Sequence, residues 1–430
     1  MAPTGRDRTA AAMLALLVGI GFLVEGYDGL FGGDIVCIGA ALTLLLLLSV
    51  RPVPLSFWRA AAPVLLLLAA GLGWAASGSL RRGGAAPAAP DLLAPALFAN
   101  LGLITALLCG AILGSRRVPL ARFALPLVAT GVVGLAFGLL LREAGSGWIL
   151  WSQRHEGRFL GTLGNANVAA AAYGSLATLA LGAALDVRPV AAGRIAWVRG
   201  SLLFAAAAAF AAELLTASRT GTALTIVALL AVGAAGIRSR RNRAWLGLAL
   251  LLGLGALVSA GVLAERTQRI GGDLALRPMM WSHYAAAVAD APFRGHGLGA
   301  FGTLNLRNLD TVPLGEALWM VNAPHDIWLG LALQGGLPWA MLTLAAVALM
   351  ASGIVAALRR RATRLEVGAA GALAIILGLA CVDIAFEVPA IAALAMVLAG
   401  WLWARALPRD PVGVPGASGM PPRQQRAIAG

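Results

Sequence analysis

The chain contains no lysine; all 33 basic residues are arginine. This fits a GC-rich coding sequence, and it means that no single arginine can be read as having been preferred over lysine for a phosphate. Charge is scarce, with 12% of residues ionisable against about 25% in a soluble domain. Cysteine is nearly absent. Cys37, Cys109 and Cys381 each stand inside an apolar run and share no paired spacing, so neither a disulfide framework nor a thiolate metal site is expected. Only four histidines occur. There is no Asp-x-Asp pair, no His-x-x-x-His and no helical His beside a Glu, so no metal is expected. The glycines at Gly295, Gly297 and Gly299 lack the strand-to-helix setting of a dinucleotide loop, and no cofactor is expected. No basic patch is interleaved with aromatics in a polar segment, which sets nucleic acid aside as a partner.

What the chain does have is apolar length. Hydrophobic residues make up 60% of it, and runs of about 17 to 25 residues, enough to cross a bilayer, recur throughout. The reading is an all-α polytopic membrane protein with about 12 transmembrane helices. They are placed near 10–26, 34–50, 60–77, 95–114, 120–141, 165–185, 198–215, 220–237, 244–263, 326–357, 367–386 and 388–405. Gly335, Gly336 and Pro338 predict a kink or break in the tenth. Arg6 and Arg8 before the first run resemble a signal peptide, but no clear cleavage site follows, so an uncleaved span is expected. With the N-terminus in the cytoplasm and alternating sides, 22 of the 33 arginines fall inside, as the positive-inside rule prefers. Both termini are then cytoplasmic.

Residues 1–408 read as one transmembrane domain, and 409–430 as a disordered cytoplasmic tail rich in Pro, Gly and Arg. A long outer segment, 264–325, separates spans nine and ten. Structureless loops beyond about 15 residues are uncommon unless functional, so short helices are expected in it. Pro278 suits a first helical position, which predicts a helix starting beside Arg277. Trp281, Tyr284 and Val288 would share one face, spaced for a helix lying at the membrane interface.

Polar clusters far apart in sequence converge on this outer side. They are Arg158 with Asn165 and Asn167 in "RFLGTLGNANVAA", Arg219 in "ASRTGTAL", Arg277 and Trp281 in "LRPMMWSHY", Arg294 and His296 in "PFRGHGLG", and His325 and Asp326 in "NAPHDIW". Each has a plainer explanation. An interfacial arginine usually snorkels to headgroups. The two asparagines could join helices by hydrogen bonds. His325 could cap a helix, although Asp326 would do so better. Arg219 is harder to dismiss, because its loop is only a few residues long. His155 and His283 read as surface or interface residues.

Taken together, the cluster has a chemistry. Guanidinium forks bind phosphate oxygens in pairs and do not deprotonate, so several around one opening suit a diphosphate. A lone histidine beside them suits a general base. A base that deprotonates a sugar hydroxyl, next to cations that stabilise a leaving diphosphate, is sufficient for glycosyl transfer.

Between Arg158 and Trp339 the pieces "GRFLGTLGNANVAA", "SRTGTAL", "RPMMWSHYAAAVADAPFRGHGLGAF" and "HDIWLGLALQGGLPWAML" together resemble the O-antigen ligase and O-antigen polymerase superfamily. The resemblance implies a membrane glycosyltransferase of the GT-C type in a bacterial inner membrane. It would take a glycan from undecaprenyl diphosphate at the periplasmic face, without metal and with inversion. A ligase passes the glycan to the lipid A core; a polymerase passes it to another lipid-linked repeat. By the family pattern His325 would be the base. Arg219 and Arg277 would hold the diphosphate with help from Arg158. Asn165, Asn167, Trp281, Arg294, His296 and Asp326 are the further substrate-binding candidates. The chain departs from the family in having Asp326 after the histidine, Gln334 for an acidic residue, and Pro338 for a second glycine. Those departures bear on the acceptor. Expected partners are the lipid-linked donor, the lipid A core acceptor and membrane lipids. The alternatives are a polymerase, an oligosaccharyltransferase or a solute transporter. In a transporter Asp383, rather than His325, would be the critical group.

Overall fold

A computed structural model describes residues 3–27, 31–81, 87–143, 158–187, 192–235 and 270–407. Among them are fourteen α-helices. They are α1 (Gly5–Leu23), α2 (Gly32–Val50), α3 (Leu55–Ser79), α4 (Leu93–Ser115), α5 (Ala121–Glu143), α6 (Ala166–Asp186), α7 (Ala192–Leu215) and α8 (Arg219–Ala235). After these come α9 (Ile270–Asp290), α10 (Phe301–Arg307), α11 (Val312–Leu318), α12 (Ile327–Arg361), α13 (Arg364–Ala380) and α14 (Pro389–Trp403). Seven helices are long and apolar enough to cross a membrane, and α8 and α14 are shorter apolar ones. The expected span at 244–263, the Arg154–His155 loop and the tail after 408 lie outside the described residues.

Helix ends follow local chemistry. Thr4 and Asp7 form a reciprocal capping box on α1, as Thr363 and Glu366 do on α13. Each satisfies two orphan N–H donors. Pro389 opens α14 at a position where a missing N–H costs nothing.

The helices pack side by side as a bundle. α6 lies against α7, α8 and α13, and α14 lies against α4. Nearly every residue of α6 and α14 is buried. An apolar helix without a polar face belongs inside. Small residues let the backbones close up. At the α4–α14 crossing, a Cβ on Gly110 would stand 2.3 Å from the Val397 carbonyl oxygen, and one on Gly400 would stand 2.0 Å from that of Leu107.

The bundle has two polar ends. At one, Arg116 donates to Asp7 at 2.9 Å, to the Leu47 carbonyl at 3.0 Å and to the Arg51 carbonyl at 2.7 Å. Asp186 there accepts from the N–H groups of Arg364 and Leu365. The other end carries His325 and most of the candidate residues.

α12 is broken as expected. Gly336 has φ 80° and ψ 172°, a conformation essentially restricted to glycine. The break frees backbone groups, and the turn at Pro292–Gly297 takes them up. His296 N–H donates to the Leu333 carbonyl at 2.7 Å, Gly297 N–H to Gln334 at 2.9 Å, and Leu337 N–H to the Pro292 carbonyl at 2.7 Å.

Two expectations fail at α9. The helix starts at Ile270 and carries Pro278 inside it. Proline already has a helical φ, so it is tolerated within a helix at the loss of one hydrogen bond. The Tyr284 face is not interfacial either. Tyr284 is fully buried, and Trp281 and Val288 pack with it against α10 and α11 in a separate small core. The spacing identified an apolar face correctly, but not what covers it.

Candidate functional site

Asp383 is the centre of the site. It lies in the connection between α13 and α14, with its side chain 3% exposed. Its Oδ2 accepts from Arg277 Nη2 at 3.1 Å and from Asn167 Nδ2 at 2.5 Å. Its Oδ1 accepts from its neighbour's N–H, Ile384, at 2.9 Å and faces His325 Nδ1 at 3.7 Å. The last distance is an ion-pair contact rather than a formed hydrogen bond. Burial alone would raise this carboxyl. The histidine, the Ile384 N–H and the Arg277 charge outweigh it and hold the group below the usual aspartate range.

The network runs on through Asn167. Its Oδ1 accepts from Arg158 Nη2 at 3.2 Å, and Arg158 Nε donates to the Thr216 carbonyl at 2.7 Å. Thr216 belongs to the tight turn that ends α7 and leads into Arg219, the first residue of α8. Arg219 is exposed. Thus Arg158, Asn167, Arg277 and His325, far apart in the sequence, are tied to one carboxylate, Arg158 by way of Asn167. The Arg219 turn is hydrogen-bonded to the same network.

His325 has a left-handed backbone, φ 54°, uncommon for a residue with a side chain. The conformation turns the chain into α12, where Asp326 caps the helix by accepting from Leu329 N–H at 2.9 Å. Capping therefore falls to Asp326 and leaves the imidazole to Asp383. The carboxylate faces Nδ1, and Nε2 is the ring nitrogen on the other side. Glu387 is a second acid near the imidazole. It is accessible yet ringed by protein, with Oε1 over Gly330 of α12. Arg277 is 41% exposed, so part of its guanidinium remains open to a ligand.

Other candidates have structural partners. Asn165 caps α6, accepting from Asn167 N–H at 2.7 Å and Val168 N–H at 3.3 Å. Arg294 lies 4.8 Å over the Trp74 ring and donates to Ser77 at 3.3 Å, both on α3. His296 Nε2 pairs with the Ala287 carbonyl at 2.8 Å. Gln334, which stands where the family has an acid, accepts from Gly299 N–H at 2.7 Å. Trp281 Nε1 and His283 Nε2 are buried without a partner among the described residues.

The comparison with known families falls on this region. Residues 204–344 match a family model described as O-antigen ligase. Over that segment, about a third of the chain, the sequence is similar to the O-antigen ligase family. No curated protein matches the chain. The O-antigen ligase match takes in Arg219, Arg277, Arg294, His296, His325 and Asp326, and the expected resemblance to the superfamily holds. Together with the seven long apolar helices among the described residues, the match fits a multi-pass membrane protein. Asp383, Glu387, Arg158 and Asn167 lie outside the matched segment.

Asp383 is the residue that sequence reasoning does not assign to this site; there it enters only as the group that would be critical in a transporter. The available signal was a lone aspartate at the outer end of an apolar run, whose cost demands a cationic partner. Nothing in the sequence said which arginine would meet it.

Proposed function

We propose that the protein is an O-antigen ligase of the GT-C type, acting at the periplasmic face of a bacterial inner membrane. It transfers a glycan from undecaprenyl diphosphate to a sugar of the lipid A core. The supporting observation is the meeting of Arg277 and His325 on Asp383. In this reading Arg277 serves as the diphosphate-binding fork and His325, through Nε2, as the base beside it.

The reaction needs no metal. The acceptor hydroxyl oxygen attacks the anomeric carbon as its proton passes to His325 Nε2. The bond from that carbon to the phosphate oxygen breaks on the opposite face, and the diphosphate leaves with the electron pair. Configuration inverts. Arg277 and Arg219, with Arg158 behind them, stabilise the charge that grows on the departing oxygen, where fixed cations are most effective. Asp383 stabilises the imidazolium and does not accept the proton itself.

The same geometry serves a repeat-unit polymerase, in which a second lipid-linked glycan takes the acceptor place, and the matched family includes such enzymes. The test uses purified protein in bilayers with an undecaprenyl-diphosphate glycan, a lipid A core acceptor and EDTA. Core-linked product from wild type but not from His325→Ala is the expected result. Lengthened lipid-linked chains when the core is omitted would replace the ligase by the polymerase. Absence of product in both settings would reject glycosyl transfer.

A further inference from the structure

The two short helices between α9 and α12 carry large apolar side chains on their outside. Leu306 is 63% exposed, Val312 74%, Trp319 61% and Met320 72%. They are not scattered. At 100° per residue, Val312, Glu316, Trp319 and Met320 fall within one arc of α11 and its C-cap, since Trp319 keeps a helical backbone. Leu314, Ala317 and Leu318 fall on the opposite arc and pack into the small core with Tyr284 and Phe301. α11 is therefore apolar on both faces, although only one of them is covered.

The exposed face is also rigidly mounted. Asn305 of α10 is buried. Its Nδ2 donates to the Leu318 carbonyl at 2.8 Å and the Val321 carbonyl at 3.0 Å, and its Oδ1 accepts from Tyr284 Oη at 2.8 Å. One side chain thus ties α9, α10 and the end of α11 together. A large apolar patch held rigidly in water is unusual in a soluble surface and marks a contact with a partner or a membrane.

We propose that α11 and the end of α10 form a foot that rests in the lipid headgroup and upper acyl region of the leaflet on the His325 side. The occupant is the bilayer itself for three reasons. The foot lies in a segment whose next helix, α12, is a candidate span beginning one residue after Asp326, so Trp319 is within a short stretch of chain of the membrane boundary. Its composition is that of an interfacial element, with an indole, a thioether and a β-branched residue outward. Its exposed charges, Arg307, Asp310 and Glu316, sum to one negative, which favours shallow seating by apolar contact over attraction to an anionic surface. The function of the foot is to fix the depth of His325 and Arg277 relative to the headgroups. The inference does not depend on the transfer reaction.

Spin labels report depth directly. Val312→Cys and Trp319→Cys would be labelled in a chain lacking Cys37, Cys109 and Cys381, in phosphatidylethanolamine–phosphatidylglycerol bilayers. Met341→Cys, on the exposed side of α12, serves as the in-membrane reference. The expected result is collision with oxygen exceeding collision with a water-soluble nickel chelate at both positions, as at 341, and unchanged by high salt. Preferential collision with the chelate would place the face in water and overturn the proposal. Low accessibility to both with spin–spin broadening would assign the face to a second copy and overturn it equally. A second measurement leaves the cysteines in place. Trp319→Phe should lower the fraction of emission quenched by dibrominated phosphatidylcholine. A fall in the fraction quenched by iodide instead would refute the membrane contact.

Discussion

Asp383 accepts from Arg277, Asn167 and the Ile384 N–H and also faces His325. Replacing it with asparagine keeps the volume but removes the charge. Under the ligase proposal Asp383→Asn should slow transfer by about 10²–10⁴-fold, the range of general acid–base contributions. Donor affinity should change less than turnover, because the arginines remain. Steady-state kinetics that showed only a raised KM would assign Asp383 to binding. The pH dependence has a definite sign. Its folded carboxyl is depressed, so the ion pairs are intact above the ordinary aspartate value near 4 and are lost only as pH falls through the lower folded value. An acid limb of activity between pH 5 and 7 therefore cannot be the titration of Asp383 itself, and Asp383→Asn, by removing the charge that stabilises the imidazolium, should move such a limb to lower pH. A limb that stayed in place in the variant would contradict the stabilising role.

Among the elements, the broken helix α12 is the part that other segments depend on. Its break presents the Leu333 and Gln334 carbonyls and the Leu337 N–H to the Pro292–Gly297 turn. A Cβ at Gly336 would stand 2.4 Å from the Phe293 carbonyl oxygen, and the φ of 80° is unfavourable for any other residue. Gly336→Ala should cost about 1–3 kcal/mol from backbone strain alone, with the collision adding to it. A thermal unfolding curve in detergent would show this as a lowered Tm, and an unchanged Tm would mean that the break is not a fixed feature. The three departures from the family pattern lie along this same helix. Asp326 is its cap, Gln334 holds the Gly299 N–H, and Pro338 follows the break. All three are compatible with the helix as built.

At the scale of the whole molecule, the ends of the bundle differ in what their charges do. At the end away from His325, Asp7 and Arg116 form a buried pair, with both side chains at or near zero exposure. Burial opposes the charged form of Asp7, yet the Thr4 N–H, the Thr4 hydroxyl and Arg116 together hold its carboxyl below the usual value. Arg116→Ala would strand that carboxylate and should destabilise the fold by about 3–5 kcal/mol. The double variant Asp7→Ala with Arg116→Ala should recover part of the loss, since no charge is then left buried. Equal Tm values for the single and double variants would show that the pair is not coupled. The contribution of Asp7 is present above the ordinary aspartate pKa and fades as pH falls through its depressed folded value.

The sequence by itself determined the elements. Apolar run length anticipated the seven long apolar helices among the described residues, because a bilayer fixes how long such a run must be. Gly336 announced the break, since a residue without Cβ beside a proline has few other uses within a span. The His325 and Arg277 motifs were legible because their residue types suit one chemistry. Only tertiary structure decided their partners. Asp383 is one carboxylate in the connection between α13 and α14, and no periodicity says that it will meet Arg277 from α9, Asn167 from α6 and His325 at the start of α12. Tyr284 and Trp281 marked an apolar face, and only the folding of α10 and α11 over it showed that the face is an interior. Local pattern reflects backbone geometry and solvent, which act residue by residue. Pairing across the bundle depends on how whole helices cross, and that is set by many small contacts summed over their length.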